Sequence, residues 1–325
     1  MTGRVAAAAS WGPPMLAEAQ RPIYAVAGPT ASGKTALGVE LALRVGGEVV
    51  NFDSVQIYQG IQIATAKPTE EEKRGVPHHL IDYVDPRINY TAAHWAKDAS
   101  AKIAEIESRR CVPVLVGGTG FYLRTLRQPL FESPKTDESI RRRLTKIRER
   151  RGSAHLHKML SRVDAAAAGR LFPRDYPRVM RALEVYFQTG QKMSAVQPNR
   201  APAPEFAGRI KIFVLDPPRD QLYDKINRRA EAHFKAGLVE EVRELLAKGV
   251  PASSNALGAH GYRRVCEYLR AERDLGSAIE KTKQDVRNYA KRQLTWYRRE
   301  TDALWIKGFG DSPAAREQLF RLIGG

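Results

Sequence analysis

Residues 23–35 read IYAVAGPTASGKT: a short apolar run, then Gly28 and Gly33 bracketing four residues, then Lys34 and Thr35. No other feature restricts the fold of this chain as tightly. The pattern G-x-x-x-x-G-K-[ST] works only where a strand ends and a helix begins, because backbone N–H groups and a helix N-terminus must converge on one anion. Both flanks fit, since IYAVA suits a buried strand and TALGVELALRVG has helical apolar spacing closed by Gly46-Gly47. The loop Gly28, Pro29, Thr30, Ala31, Ser32, Gly33, Lys34, Thr35 is therefore expected to hold phosphate groups. Lys34 would neutralise charge there, and the Thr35 hydroxyl can reach Mg²⁺.

Further short apolar runs follow at EVVNFD (48–53), VPVLVGG (112–118) and IKIFVLD (210–216), separated by helical patterns such as AAHWAKDASAKIAEIESRR. Continuous apolar strands alternating with helices predict an α/β fold, a P-loop NTPase-like parallel sheet flanked by helices. About ninety residues between the third and fourth runs have helical patterns and no strand signal, too long for a simple crossover. They are read as a helical insertion domain at 123–204, ending in the Pro-rich PNRAPAPEFAG. The P-loop core is then 21–122 with 205–325, its C-terminal part helical to the end, and residues 1–20 are expected to form a disordered tail.

The net charge of +17 over 325 residues points to a polyanionic partner, nucleic acid first. The excess is concentrated: residues 141–151 and 281–299 each carry seven Lys/Arg against one acid, +6 apiece. Solvated helix faces are the alternative reading of both stretches. Cys111 and Cys266 stand in no metal-ligand or disulfide spacing, and the paired histidines 78/79 and 155/157 share no helix face. No apolar run approaches the roughly 20 residues needed to span a bilayer, and residues 1–20 are too weak for a signal peptide. A cytoplasmic protein without membrane association is expected.

Asp53 ends the second apolar run, and in a parallel sheet that end faces the same crevice as the phosphate loop. The third run closes on Gly117-Gly118-Thr119-Gly120, without the acid that nucleotide hydrolases place at a later strand end to help hold Mg²⁺. Spacing alone leaves Asp53 as a base for an acceptor nucleophile, or as a turn or helix-cap residue.

Taken together, GPTASGKT, DSVQIYQGIQIATAKP, PHHLID, GGTGFY, RALEV, LYDKINRR with GLVEEV, GYRR and KRQLTWYR resemble the tRNA dimethylallyltransferase (isopentenyl-tRNA transferase) family, in family order from about residue 22 to 305. The resemblance implies transfer of a dimethylallyl group from dimethylallyl diphosphate to the N6 amine of the adenosine 3′-adjacent to the anticodon, in tRNAs reading U-starting codons. The phosphate loop would hold the diphosphate with Mg²⁺, helped by Arg229 or its neighbour Arg228. Asp53 would be the general base and Thr119 a reaction-centre hydroxyl. By the same match Ser54, Val55 and Gln56 would touch the target nucleotide or its neighbour. Arg141, Arg178 and Arg181 would contact tRNA from the insertion, and Gly261, Tyr262, Arg263, Lys291, Arg292, Gln293, Trp296 and Arg298 from the core. Tyr262 and Trp296 are read either as stacking platforms or as core aromatics. The enzyme is expected to be a monomer that takes the tRNA anticodon stem-loop as partner. Ala64, Phe121 and His260 depart from the family pattern, where Gly, an aliphatic and an aliphatic residue are usual.

Two other readings use the same residues: a P-loop kinase or adenylate prenyltransferase acting on free nucleotide, and a nucleotide-gated RNA-binding protein. The first leaves the basic insertion and KRQLTWYR without a purpose, and the second leaves Asp53 and Thr119 idle.

Overall fold

The computed structural model describes residues 21–132 and 134–324; the expected tail at 1–20 lies outside them. The described residues divide into two compact units, 21–127 with 205–324 and the segment between 128 and 204.

The first unit is built on β1 (Ile23–Ala27), α1 (Lys34–Val45), β2 (Gly47–Asn51), α2 (Glu70–Lys73), β3 (His78–His79), α3 (Ala92–Ser108), β4 (Val112–Val116) and α4 (Gly120–Arg127). The expected start of the insertion at 123 falls inside α4, which continues to Arg127 in this unit. The second unit holds α5 (Glu138–Arg151), α6 (Ser153–Val163), α7 (Ala165–Arg170), α8 (Tyr176–Thr189) and α9 (Met193–Val196). The chain then returns to the first unit through β5 (Ile210–Asp216), α10 (Arg219–Lys235), α11 (Leu238–Ala247), α12 (His260–Leu269), α13 (Leu275–Tyr297), β6 (Ala303–Lys307) and α14 (Pro313–Gly324).

The six strands pair parallel in the order β3-β2-β4-β1-β5-β6, which puts the phosphate-loop strand inside the sheet between β4 and β5. Alternation along each strand divides the apolar side chains between two layers. Ile23, Ala25, Val50, Leu115 and Ile212 join Trp95, Leu238, Val242 and Val265 in one core. Tyr24, Val26, Val49, Val114 and Phe213 face Leu37, Leu41 and Leu319 in the other. With helices on both faces this is a P-loop NTPase-like sheet, in which the strand C-termini open onto one crevice.

The expectation of helix to the chain end is corrected by β6, and β3 was not expected. β6 is an edge strand with only Ile306 fully buried, so ALWIK lacks the continuous apolar run that marks the inner strands. β3 is two residues long, below any sequence period.

The second unit has its own core of Leu144, Leu156, Leu160, Val179, Met180 and Leu183. Into it reaches Glu184, with 0 % exposure. Arg141 binds that carboxylate with Nε at 2.7 Å and Nη2 at 3.0 Å, and Arg181 approaches it at 3.3 Å while donating to the Pro134 carbonyl at 2.7 Å. A buried carboxylate needs such partners, because removing one leaves an uncompensated charge. Both arginines expected at RNA thus hold the inside of this unit, whereas Arg178 is exposed, its pairing with Asp175 being a 3.2 Å surface contact.

Candidate functional site

The phosphate loop takes the conformation its residues require. Gly33 has φ +84° and precedes α1, and a Cβ there would stand 2.9 Å from the Asp311 amide nitrogen, so only glycine fits. Gly310 N donates to Ser32 O at 2.8 Å, so the loop after β6 backs the phosphate loop. The Ser32 hydroxyl is buried and without a hydrogen-bond partner among the described residues. In a loop of converging amides, an unpaired hydroxyl is the donor a phosphate oxygen would take up.

Lys34 Nζ donates to the Pro29 carbonyl at 2.7 Å, and burial lowers its pKa to about 8, with Asp53 opposing that shift and Arg229 adding to it. Burial likewise lowers Arg229, whose charge Asp53 supports. The structure therefore puts Lys34, Arg229 and Asp53 in one electrostatic neighbourhood. It also separates the two candidate arginines: Arg229 lines a cleft of about 50 Å³ with Thr30, Ala31, His233 and His260, and Arg228 is exposed. Arg229 Nε donates to His233 Nε2 at 3.4 Å. That imidazole can accept because burial, then the Arg229 charge, lower its pKa to about 4.

Asp53 stands two residues beyond the end of β2 and does two things. Its Oδ1 accepts from Val55 N at 2.9 Å and Gln56 N at 3.4 Å, the turn role the sequence left open, while Oδ2 has no hydrogen bond among the described residues. Asn51 Oδ1 accepts from Asp53 N at 3.1 Å, and the Asn51 carbonyl accepts from Trp95 Nε1 at 2.9 Å, so a buried indole anchors the turn. Thr119 Oγ1 accepts from Ser54 N at 3.0 Å and donates to Ser54 Oγ at 3.2 Å, joining the turn to the GGTG segment. Tyr289 lies against both: burial raises its hydroxyl pKa, Asp53 raises it further, and a hydrogen bond with Thr119 opposes.

Several residues expected at RNA have other duties. Gln293, 5 % exposed, accepts from Thr30 N at 2.8 Å and donates to Gly118 O at 2.9 Å, so one amide ties the phosphate loop to the Thr119 segment. Tyr262 is 1 % exposed, and its hydroxyl accepts from Ala64 N and donates to Glu241 Oε1, both at 3.1 Å. It is a core residue and cannot stack on a base. Gly261 packs beneath it, where a Cβ would sit 3.0 Å from Leu238. The Gln56 amide nitrogen is spent on the carbonyls of Thr65 (3.1 Å) and Ala66 (2.8 Å). Trp296 wedges against Gly120, which has no room for a Cβ, and carries Arg124 4.3 Å from its ring. Lys291, Arg292 and Arg298 are exposed, as is Arg263 beside Glu267 at 3.4 Å.

Glu241 was missed as a site residue, although GLVEEV was noted. Its two oxygens accept from Gln62 N at 2.7 Å and Ile63 N at 2.9 Å, so with Tyr262 it collects three successive backbone donors of the 61–66 loop. Glu241→Gln replaces one acceptor with an NH₂ facing an N–H, and an unmet backbone donor costs about 1–3 kcal/mol. Hydrogen exchange at residues 62–64 is expected to accelerate, with diphosphate affinity unchanged; equal exchange in the variant would reduce the carboxylate to a surface feature.

These elements decide the comparison with known proteins. The family profile described as IPP transferase matches residues 56–300. The chain belongs to the IPP transferase family. The tRNA dimethylallyltransferase of Geobacter metallireducens is 47 % identical over 293 residues, covering 90 % of this chain and 94 % of its own. That of Koribacter versatilis is 43 % identical over 93 % of this chain and 97 % of its own. The solved tRNA isopentenylpyrophosphate transferase of Bacillus halodurans is 36 % identical, covers 94 % of this chain and 96 % of its own, and superposes with a TM-score of 0.69. A eukaryotic dimethylallyltransferase acting on tRNA is 26 % identical with a TM-score of 0.77, covering 94 % and 79 %.

In this IPP transferase the departure at His260 has a measurable consequence. Burial, then the charge of Arg292, lower the His260 pKa to about 4, against weaker opposing effects of Asp53 and Asp285. An unfolded chain would bind this proton near pH 6.5 and the folded one would not, so the stability present above pH 6.5 is lost progressively as pH falls toward 4. His260→Leu is expected to flatten the fall in melting temperature between pH 7 and 5, measured by differential scanning fluorimetry; an unchanged slope would trace the loss to other groups such as His233.

Proposed function

We propose that this IPP transferase moves a dimethylallyl group from dimethylallyl diphosphate to the N6 amine of the adenosine 3′-adjacent to the anticodon, in tRNAs reading U-starting codons. The observation that carries the reading is the Asp53 carboxylate, with one oxygen uncommitted, in electrostatic reach of the cations Lys34 and Arg229. The adenine amine is a weak nucleophile because its lone pair is delocalised into the ring, so a base must take its proton as the bond forms. In the proposed step N6 bonds to C1 of the allyl group, the C1–O bond breaks with its electron pair leaving on the diphosphate, and the N6 proton passes to Asp53. Lys34, Arg229 and the loop amides stabilise the departing charge, and no water need be activated. The relatives named tRNA dimethylallyltransferase support the substrate classes.

Among the described residues no group of three or more His, Cys, Asp or Glu could hold a metal. The chain fits a Mg²⁺ that keeps its waters and is carried chiefly by phosphate oxygens, with the Thr35 hydroxyl as protein ligand. Such an ion would add charge neutralisation to the leaving diphosphate. Among the described residues no helix is long and apolar enough to cross a membrane.

The test is incubation of the purified protein with Mg²⁺ and labelled dimethylallyl diphosphate. Label is expected on unmodified tRNAs reading U-starting codons. Label on AMP and none on tRNA would transfer the reading to an adenylate prenyltransferase.

A further inference from the structure

The second unit carries two exposed aromatic rings outside its apolar core. Phe172 is 68 % and Tyr176 38 % exposed, and neither joins the core of Leu144, Leu160 and Leu183. Each ring has a guanidinium on it: Arg174 Cζ lies 5.6 Å from the Phe172 centroid, and Arg148 Cζ lies 4.4 Å from that of Tyr176. The backbone presenting them is stiff. Pro173 and Pro177 fix φ at two of the seven positions of FPRDYPR, and Asp175 N donates to Phe172 O at 2.9 Å to close the turn that starts α8.

We propose that the Phe172–Tyr176 edge of this unit is a stacking site for unpaired RNA bases; the proposal rests on the tRNA reading above. The charge fits an RNA occupant. Residues 128–204 hold sixteen Lys/Arg against seven Asp/Glu, +9 of the chain's +17. Four of the acids are turned to the unit's own structure: Glu184 holds Arg141, Asp137 and Asp164 cap helices, and Asp175 pairs with Arg178. A nucleobase can lie on the open face of either ring, since every base has a π-face, while Arg148 and Arg174 cover part of the aromatic surface and neutralise flanking phosphates. A paired helix offers no such face, because its bases are stacked on one another and its grooves display sugar and phosphate. The stiff backbone lowers the ordering cost of binding.

The experiment uses the full chain and two RNAs of equal charge, a stem-loop and a fully paired duplex, with affinity read by fluorescence anisotropy. Phe172→Ala and Tyr176→Ala are each expected to weaken stem-loop binding roughly 5- to 100-fold, the range for loss of one base stack, and to leave duplex binding unchanged. Phe172→Trp should retain the stem-loop affinity. A 2-aminopurine walked through the unpaired positions should be quenched by the wild-type protein at one position and released in Phe172→Ala. Unaltered stem-loop affinity in both alanine variants would overturn the proposal and assign the rings to a protein partner. Equal losses on stem-loop and duplex would also overturn it, making the edge a phosphate contact. Failure of the tRNA reading has a different signature: the wild type itself would bind the stem-loop no better than single-stranded DNA of the same length and would transfer no label to tRNA.

Discussion

Asp53→Asn is expected to lower the rate of prenyl transfer by about 10²- to 10⁴-fold, the range for losing a positioned general base, with little change in tRNA affinity. The variant is chosen from the geometry. Asp53 Oδ1 also holds the amides of Val55 and Gln56, so alanine would remove the base and loosen the turn carrying Ser54 and Gln56 together. Asparagine keeps an oxygen for those amides and discards only the proton acceptor. Single-turnover rates with saturating tRNA, compared for Asn and Ala, separate the two duties. If Asn restored near-normal turnover while Ala lost binding, Asp53 would be a turn residue and the base would have to be sought elsewhere.

Lys34→Ala is expected to cost about 10²- to 10³-fold in the same rate, as for removal of one preorganised donor to developing negative charge. Its lowered pKa of about 8 adds a prediction of sign. In the free protein a fraction of Lys34 is neutral at pH 8 to 9, and a bound diphosphate favours the charged form, so binding should take up a proton in that range. Calorimetric titration with diphosphate in buffers of different ionisation enthalpy would measure the uptake, which Lys34→Ala should abolish. Uptake that persists in the variant would assign the proton to another group.

How much of this was legible beforehand depends on how local the information is. The phosphate loop, its strand and its helix occupy 23–45 without interruption, and sterics alone require that order, so the central unit of the sheet could be read directly. Inner strands announce themselves because both faces are buried; the edge strand β6, half exposed, does not. The positions of Lys34 and Asp53 are legible because each follows directly from a local strand pattern, at the start of α1 and just past β2. The site is illegible where the duty is to join distant segments. Gln293 sits in a basic helical stretch that reads as an RNA surface, yet its amide faces inward because α13 turns one side toward Gly118 and Thr30. Tyr262 and Glu241 belong to motifs noted in the sequence, but only the packing of α11 against α12 reveals that they gather the amides of residues 62–64. The pairing of Arg141 and Arg181 with the buried Glu184 of RALEV was illegible for the same reason, since it joins two helices of the second unit.

The bond between the Thr30 amide and Gln293 spans 263 positions, and the contact of Ser32 with Gly310 reaches later still in the chain. A ribosome adding about 5–20 residues per second would release Thr30 roughly 13 to 53 s before Gln293. The earlier segment is therefore completed only by the later one. A nascent chain has the glycines and the lysine of the loop before it has the Gln293 and Gly310 contacts that hold them. Competence to bind should arrive in one step, only when the final strand has emerged and closed behind the loop.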